Sequence, residues 1–470
     1  MQPELDLLSV DRGSVTAPAG CGKTHLIAYS LSKHVGTKPV LVLTHTNAGA
    51  AALRQRMKKA SVASSSFRVS TIDGFAMRLI AMFPMRSAID SRVLQIDDPR
   101  NDYPAIRNAA LALLQAGHLS TALRATYARV IVDEYQDCNL LQHSIIDALA
   151  CELPTVVLGD PMQAIFGFAG NRLVNWTQDV ATRFPPIGGL ETPWRWINAG
   201  NEELGRWLLH ARSELQAGRN VELHTSVAGL EWIQLDRADL EGGRRTAAHT
   251  RLQDGEETVL IIGDARNPRG RHQFTSQTRG ATSVETVDLA DLTGFARRFD
   301  LTRADALDHL VNFAGDVMTG VNATTYLGRI KTLQGGRARN SPSPAEEAAL
   351  AFAKHPTLGA ALQVLQQLEA QSGARVFRPE MLNCCLSAMR SVTGDKTFLD
   401  AVLQARERNR HHGRPVSRRA VGSTLLLKGL EADVAVILQP EQMDACNLYV
   451  ALTRGAKRVL VCSERSVLSP

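Results

Sequence analysis

The sequence has little of what membrane, secreted or zinc-binding proteins require. It has no uninterrupted run of 18 apolar residues, and its first six residues, MQPELD, are acidic and lack the apolar core of a signal peptide. Its seven cysteines are an odd number and include no Cys-x-x-Cys pair. These absences favour a reduced, cytoplasmic protein with no membrane span, no structural zinc and no iron–sulfur cluster.

The composition is that of a globular chain large enough for more than one domain. Its 470 residues are 44% apolar and 21% charged, and the formal net charge is +6. A chain of this length can form two core domains with insertions. The mildly basic balance permits nucleic acid as a partner without demonstrating it.

The most informative stretch is APAGCGKT, which has the pattern of a phosphate-binding loop with alanine in place of the usual first glycine. It lies between a short segment, 13–16, that could end a strand and a stretch with helical apolar spacing. Backbone N–H groups of such a loop, with the N-terminus of the next helix, cradle a polyphosphate. Lys23 is expected to reach the outer phosphates and the Thr24 hydroxyl to bind Mg2+. The predicted nucleotide loop consists of Ala17, Pro18, Ala19, Gly20, Cys21, Gly22, Lys23 and Thr24.

A second nucleotide signature follows the β-branched run at 129–132, which is typical of a buried parallel strand. Asp133 and Glu134 come directly after it, at the strand end where ligands of open α/β sheets bind. Asp133 can hold Mg2+, and Glu134 can polarise the attacking water. A charged loop after a strand would be the alternative, but the upstream phosphate loop makes it much the weaker interpretation.

The segment DEYQD at 133–137, together with the phosphate loop, resembles the superfamily 1 helicases of the UvrD/Rep/RecB/AddA type. Six further segments are similar to motifs of this family and occur in the family's order. They are VLVLTHTNA at 40–48, STIDGF at 70–75, VLGDPMQAIFGF at 157–168, ETPWR at 191–195, KGLE at 428–431 and YVALTR at 449–454.

The resemblance implies an ATP site with Mg2+ and further residues around it. Arg195 and Arg454 would complete the site from the second lobe as the lobes close, and Gln163 would sense the terminal phosphate. Trp194 would stack on adenine where the family usually has tyrosine, and Glu431 would contact the ribose or phosphate side. A core position for Trp194 and surface salt bridges for the two arginines are the alternatives.

The resemblance also implies contacts with single-stranded DNA, made to phosphates and by stacking on aromatic rings. Thr44, Thr46, Asn47 and Thr71 fit the phosphate contacts. Phe166 and Phe168 fit the stacking platforms.

The fold class implied is α/β, with two RecA-like lobes built on parallel sheets, each carrying a mainly helical insertion. The first lobe is expected at 1–187, with a short helical insertion at about 78–127. The second lobe is expected at 188–289 and 416–470, interrupted by a helical insertion at 290–415. Strands of the second lobe are predicted at 258–263, 425–427, 434–438 and 458–462.

Three departures from the family pattern bear on function. Ala169 stands where the family usually has arginine, no glutamine suited to reading adenine precedes the loop, and His45 replaces a frequent aromatic residue. The arginine-rich stretch 406–419 is either a strip that contacts phosphates or a solvated helix end and linker.

Two functions are therefore considered. The first is an ATP-dependent DNA helicase or single-strand translocase, with the 3′-to-5′ polarity that the resemblance implies. The second is a partner-controlled ATPase that senses DNA ends within a repair or anti-phage defence complex and unwinds little alone. The expected partner is single-stranded or partially duplex DNA. The chain ends soon after 449–454, where the nuclease domain follows in RecB and AddA, so a separate nuclease protein is expected as a partner if DNA is cut.

Overall fold

A computed structural model of the chain describes residues 5–96, 98–167, 172–223, 226–394, 396–411 and 417–470. The chain divides into two compact units. The first comprises Met1–Glu231, Pro440–Arg458 and Arg465–Pro470, and the second comprises Trp232–Gln439 and Val459–Glu464. None of the helices in the described ranges is both long and apolar enough to cross a membrane.

The first unit is built on a parallel sheet with the strand order β3-β2-β4-β5-β1-β6, in which every neighbouring pair runs parallel. Such an order requires a crossover connection between neighbours, as in RecA-like domains. Its strands are β1 (Arg12–Thr16), β2 (Val40–Thr44), β3 (Phe67–Thr71), β4 (Val130–Val132), β5 (Thr155–Gly159) and β6 (Pro186–Gly189).

This sheet is covered on both faces, which explains the continuous apolar runs in its strands. Alternate residues of β2 contribute to different cores: Leu41 and Leu43 pack in one cluster, and Val40 and Val42 pack in the other. The helices of the first unit are α1 (Lys23–Lys33), α2 (Asn47–Lys59), α3 (Ile72–Met82), α4 (Pro84–Ser87), α5 (Pro99–Gln115), α6 (Ser120–Thr126), α7 (Leu140–Ala150), α8 (Ala181–Arg183), α9 (Trp194–Asn198) and α10 (Glu202–Gln216).

A second sheet has the strand order β10-β13-β9-β14-β15-β8, and β13, β9 and β14 pair in parallel, as do β10 and β13. The chain passes from one compact unit to the other within β8 and β15. The remaining strands are β7 (Val221–Glu222), β8 (Leu230–Gln234), β9 (Val259–Ile262), β10 (Thr282–Ser283), β11 (Met318–Thr319), β12 (Arg375–Val376), β13 (Arg419–Gly422), β14 (Ala432–Ile437), β15 (Gly455–Ser463) and β16 (Val467–Leu468).

Helices make up most of the second unit outside this sheet, and those from α13 to α19 surround one apolar core. Ser343 and Glu346 form a capping box that starts α16 within the Ser-Pro-Ser-Pro segment. The helices are α11 (Leu240–Ala248), α12 (Pro268–Gln277), α13 (Ala290–Arg298), α14 (Ala306–Val317), α15 (Ala323–Gln334), α16 (Pro344–Lys354), α17 (Leu358–Glu369), α18 (Pro379–Ser391), α19 (Phe398–His411), α20 (Thr424–Leu427) and α21 (Ala445–Leu452), the last of which belongs to the first unit.

The α/β class with two RecA-like lobes is confirmed by these two sheets and their flanking helices. The strand predicted at 425–427 is wrong, because this segment forms the single helical turn α20. Ser423 caps that turn by accepting a hydrogen bond from the Leu426 N–H, which a short apolar run alone does not reveal. The predicted domain boundaries stay predictions; the first compact unit runs past 187 to Glu231.

Candidate nucleotide and DNA site

The predicted phosphate loop joins the end of β1 to the start of α1 at Lys23. Gly20 and Gly22 have φ values of +70° and +90°, a backbone conformation that side chains with a Cβ rarely adopt. At the start of the loop, the Ala17 N–H donates to the Gly159 carbonyl at the end of β5 (2.8 Å). The glycines and this anchor give the loop the form that a polyphosphate cradle requires.

Helix α9 packs directly against the loop. A Cβ on Gly20 would lie 2.6 Å from Cζ3 of Trp196, and one on Gly22 would lie 3.1 Å from Cδ1 of Trp194. The Arg195 N–H donates to the Gly20 carbonyl (3.0 Å). The glycines therefore also make room for two tryptophan rings, and Trp194 lies half-buried beside the predicted nucleotide loop.

Helix α21 contacts the loop as well. The Ala19 N–H donates to the Tyr449 hydroxyl (3.0 Å), and the indole N–H of Trp196 donates to the Gly455 carbonyl (2.9 Å). Tyr449 is fully buried, and burial raises its pKa well above the usual range, so its hydroxyl stays neutral. Segments 191–195 and 449–454 thus meet at the phosphate loop within the first unit.

The centre of the site is a cluster of one cation and two carboxylates. Nζ of Lys23 lies 3.1 Å from Oδ1 of Asp133 and 2.5 Å from Oε1 of Glu134. Burial alone would lower the pKa of Lys23, but the two carboxylates outweigh it and raise that pKa. Burial also raises the pKa of Asp133 in spite of Lys23, so a second cation beside this carboxylate would favour its charged form.

The backbone at Glu134 has a φ of 56°, which is unusual for a residue with a side chain. The Glu134 N–H donates to Oδ1 of Asp133 (2.9 Å), and a 3-10 turn, Tyr135–Asp137, follows. This sharp turn ends β4 and presents both carboxylates to Lys23. Local strain of this kind is common where a fold positions reactive groups.

The residues fit the magnesium and nucleotide that the motifs imply. The loop leads directly into the N-terminus of α1, whose backbone N–H groups suit a phosphate, and Asp133 and Thr24 offer the oxygen donors that Mg2+ prefers. Within the described ranges, no group of three or more His, Cys, Asp or Glu side chains forms a metal site by itself. Mg2+ bound here would retain water and phosphate ligands.

A buried polar network extends from the carboxylates. Nε2 of Gln136 donates to Oε2 of Glu134 (2.5 Å), and the Asp160 N–H donates to Oε1 of Gln136 (3.1 Å). Oδ2 of Asp160 accepts from Nε2 of Gln163 (3.0 Å), and Oδ1 of Asp160 pairs with Nη2 of Arg212 (2.7 Å). The network connects the predicted water-activating residue with the predicted phosphate sensor.

The two predicted arginines both lie in the first unit. Nη1 of Arg195 donates to the Thr453 carbonyl (2.6 Å), and the guanidinium lies 5.3 Å from the centre of the Trp196 ring. Arg454 is buried, and its Nε donates to the Val450 carbonyl within α21 (2.8 Å). Glu431 is an exposed residue of the second unit. The catalytic roles of all three stay predictions.

The residues expected to contact DNA follow two neighbouring parallel strands. Thr44 and Thr71 are register partners at the ends of β2 and β3. Thr46 caps α2 by accepting from the Gly49 N–H (3.0 Å), and Thr71 caps α3 by accepting from the Gly74 N–H (3.0 Å). Two helix N-termini therefore begin at the same sheet edge.

Exposure differs among these candidates. Asn47 is exposed and Thr46 and Thr71 are half-buried, whereas Thr44 is fully buried. The ring of Phe166 is half-buried and lies 5.5 Å from that of His45, centre to centre. Phe168 and Ala169 lie outside the described residues, as does part of the arginine-rich stretch, 412–416.

Sequence reasoning did not identify several residues that the structure adds to the site. Tyr449 and Gln136 lie inside recognised motifs, so their positions in those motifs could have drawn attention to them. Trp196 could have been suspected from its spacing of two residues from Trp194. Arg212 carries no signal of its own, because its pairing with Asp160 depends on how α10 packs.

Residues 8–169 match the AAA domain family. A segment of the chain is 37% identical over 75 residues to an ATP-dependent helicase/nuclease subunit from Levilactobacillus brevis, which covers 14% of this chain and 6% of that protein. Another segment is 31% identical over 67 residues to the protein of the same name from Leuconostoc mesenteroides subsp. mesenteroides. This match covers 14% of this chain and 5% of that protein. These matches and the ordered motifs make the chain similar to superfamily 1, UvrD-like helicases.

The matched segments span only about a twentieth of the relatives' own lengths, 6% and 5%. Among solved structures, the crystal structure of Arterivirus nonstructural protein 10 (helicase) aligns with a TM-score of 0.32 and 8% identity. That alignment covers 97% of this chain and 61% of the viral protein. A likeness this distant adds nothing to the assignment.

We predict that Cys21, inside the phosphate loop, resists alkylation at pH 8. Burial, with a smaller effect of Asp160, raises the pKa of Cys21 to about 12, and only the thiolate is reactive. The thiol is therefore protonated at pH 8 and becomes reactive only as the pH rises toward 12. Cys151, which is exposed, provides the comparison.

Peptide mass mapping after brief iodoacetamide treatment checks this prediction. We expect modification of Cys151 and not of Cys21. Modification of both at equal rates would contradict the buried, protonated thiol.

Proposed function

We propose that the chain is an ATP-dependent DNA helicase or single-strand translocase of the UvrD-like type, moving 3′ to 5′. The observation that carries the proposal is the buried contact of Lys23 with Asp133 and Glu134 beside a glycine-rich phosphate loop. A lysine, two carboxylates and backbone N–H groups are the parts that phosphoryl transfer from a nucleoside triphosphate requires.

Nucleotide binding draws Lys23 away from the carboxylates. The outer phosphates carry more negative charge than either carboxylate, so Nζ of Lys23 moves to them and releases Oε1 of Glu134. That oxygen then accepts a proton as water attacks the terminal phosphorus and the bond to the leaving diphosphate breaks. Asp133 and Thr24 would hold Mg2+, which when bound would supply positive charge to the phosphates.

Charge that builds on the leaving phosphate needs further cations. Arg195 lies at the loop through its own backbone contact with Gly20, and its guanidinium is held by the Thr453 carbonyl. Arg454 follows Thr453 directly. We assign both to stabilisation of the transition state and Gln163 to sensing of the terminal phosphate. Trp194, beside Gly22, is assigned to adenine stacking, and Glu431 to the ribose or phosphate side.

Single-stranded DNA is proposed to bind at the edge of the first sheet where β2 and β3 end. The N-termini of α2 and α3 carry partial positive charge, and Thr46, Asn47 and Thr71 lie there with polar groups. Phe166 provides an aromatic surface close by, next to His45. Thr44 is fully buried, so it would stabilise the end of β2 and not contact DNA directly.

A nuclease partner is part of the proposal because both relatives are named helicase/nuclease subunits. Strand displacement with a 3′-tailed and a 5′-tailed duplex tests the activity and its polarity. Displacement of the 3′-tailed substrate alone supports a 3′-to-5′ helicase. ATP hydrolysis without displacement would favour the partner-controlled ATPase of a repair or defence complex.

Glu134→Gln should reduce steady-state hydrolysis to a small residual rate while leaving nucleotide binding largely intact. The change removes the proton acceptor but keeps the glycine loop and Lys23, so the phosphate cradle survives. Steady-state ATP turnover and calorimetric binding of a slowly hydrolysed ATP analogue measure the two effects. Wild-type turnover by this variant would exclude Glu134 from the assigned role.

Phe166→Ala should weaken binding of single-stranded DNA by roughly 1–3 kcal/mol, the usual value of one stacked base. Phe166→Tyr keeps the ring and should bind as the wild type does. Fluorescence anisotropy with a labelled oligonucleotide gives both affinities. An unchanged affinity for the alanine variant would show that Phe166 is not a stacking platform.

A further inference from the structure

Gln136 occupies the centre of the buried network behind the site. Its side-chain amide is fully buried and makes hydrogen bonds at both ends, to Oε2 of Glu134 through Nε2 and to the Asp160 N–H through Oε1. A Cβ on Gly159 would lie 2.5 Å from Oε1 of Gln136, so the chain leaves space for this amide oxygen.

The orientation of this amide is determined by its surroundings. The Asp160 N–H is a donor, so the oxygen of Gln136 must face it and the NH2 group must face Glu134. The two oxygens of Glu134 thereby have different partners, Oε1 on Lys23 and Oε2 on Gln136. When Lys23 moves to the phosphates, Oε1 is released and Oε2 stays held.

Asp160 is in turn fixed by a buried ion pair with α10. Nη2 and Nε of Arg212 lie 2.7 and 3.1 Å from Oδ1 of Asp160, and this carboxylate is fully buried. Its other oxygen, Oδ2, accepts from Gln163. Arg212 therefore neutralises the carboxylate of Asp160. That carboxylate orients Gln163, the predicted phosphate sensor, and the backbone N–H of Asp160 orients Gln136.

We propose that Gln136 is a positioning residue for ATP hydrolysis: it holds Oε2 of Glu134 so that Oε1 faces the attacking water. The Asp160–Arg212 pair fixes the positions of both Gln136 and Gln163. The residue that senses phosphate and the residue that positions the water-activating carboxylate are therefore held by the same ion pair. A carboxylate held at one oxygen cannot rotate away from its target, and loss of such alignment costs up to about 100-fold in rate. This inference rests on the proposed function.

Gln136→Met tests the inference because methionine is similar in size and makes neither hydrogen bond. We expect kcat at saturating single-stranded DNA to fall by about 10- to 100-fold, with binding of a slowly hydrolysed ATP analogue unchanged. Gln142→Met is the matched control. Like Gln136, Gln142 is a fully buried glutamine of the first unit that accepts a hydrogen bond from a backbone N–H and donates one to a carboxylate, here that of Asp73. The Gln142→Met variant should keep kcat near the wild-type value.

A double-mutant cycle separates positioning from general destabilisation. If Gln136 acts through Glu134, adding Gln136→Met to Glu134→Gln should not lower the residual single-turnover rate further. An equal further fall in the double variant would overturn the inference, as would an unchanged kcat in Gln136→Met. If Gln136→Met does not fold, Gln136→Asn serves instead, because its shorter amide cannot reach both partners and should also lower kcat.

The cycle distinguishes failure of this inference from failure of the proposed function. Absence of ATP hydrolysis by the wild type would overturn the proposed function and the inference with it, and normal hydrolysis by Glu134→Gln would overturn the role assigned to Glu134 and the inference with it. Hydrolysis that depends on Glu134 but not on Gln136 would overturn the inference alone.

Discussion

The buried contact of Lys23 with Asp133 and Glu134 is the interaction on which the first unit depends. Lys23 and Asp133 are largely buried and an isolated charge there would be costly, so each is stabilised by the other, and Lys23 also by Glu134. The loop after β1 and the turn after β4 leave the same end of the parallel sheet, and Lys23 and the two carboxylates meet across the end of β5, which lies between β4 and β1. In the proposed mechanism, Lys23 leaves Oε1 of Glu134 only when phosphates attract it, so readiness for hydrolysis would follow nucleotide binding.

Further layers of the site serve to hold this contact. Two helices contact the loop. Trp196 of α9 packs against Gly20, and the hydroxyl of Tyr449 in α21 accepts a hydrogen bond from the Ala19 N–H. Gln136 and the Asp160–Arg212 pair hold Glu134 from behind. Glu134 is thus held at one oxygen by Gln136 and at the other by Lys23, and our proposal requires only the contact with Lys23 to break.

Much of the fold and the centre of the site could be predicted from sequence because they depend on local patterns. Apolar β-branched runs indicated β4, β9, β14 and β15, and strand ends followed by Lys23 or Asp133 indicated a nucleotide site. The segment 425–427 shows the limit, since a short apolar run fits a helical turn as well as a strand. Burial of Thr44 and the pairing of Arg212 with Asp160 depend on packing between distant segments, which no local pattern reports.

ATP hydrolysis by the purified chain, with and without single-stranded DNA and with Lys23→Ala as the control, tests the central claim most directly. The account predicts hydrolysis that single-stranded DNA stimulates strongly and that Lys23→Ala abolishes. Equal hydrolysis by Lys23→Ala, or wild-type hydrolysis that is indifferent to DNA, would contradict a DNA-driven motor built around this lysine.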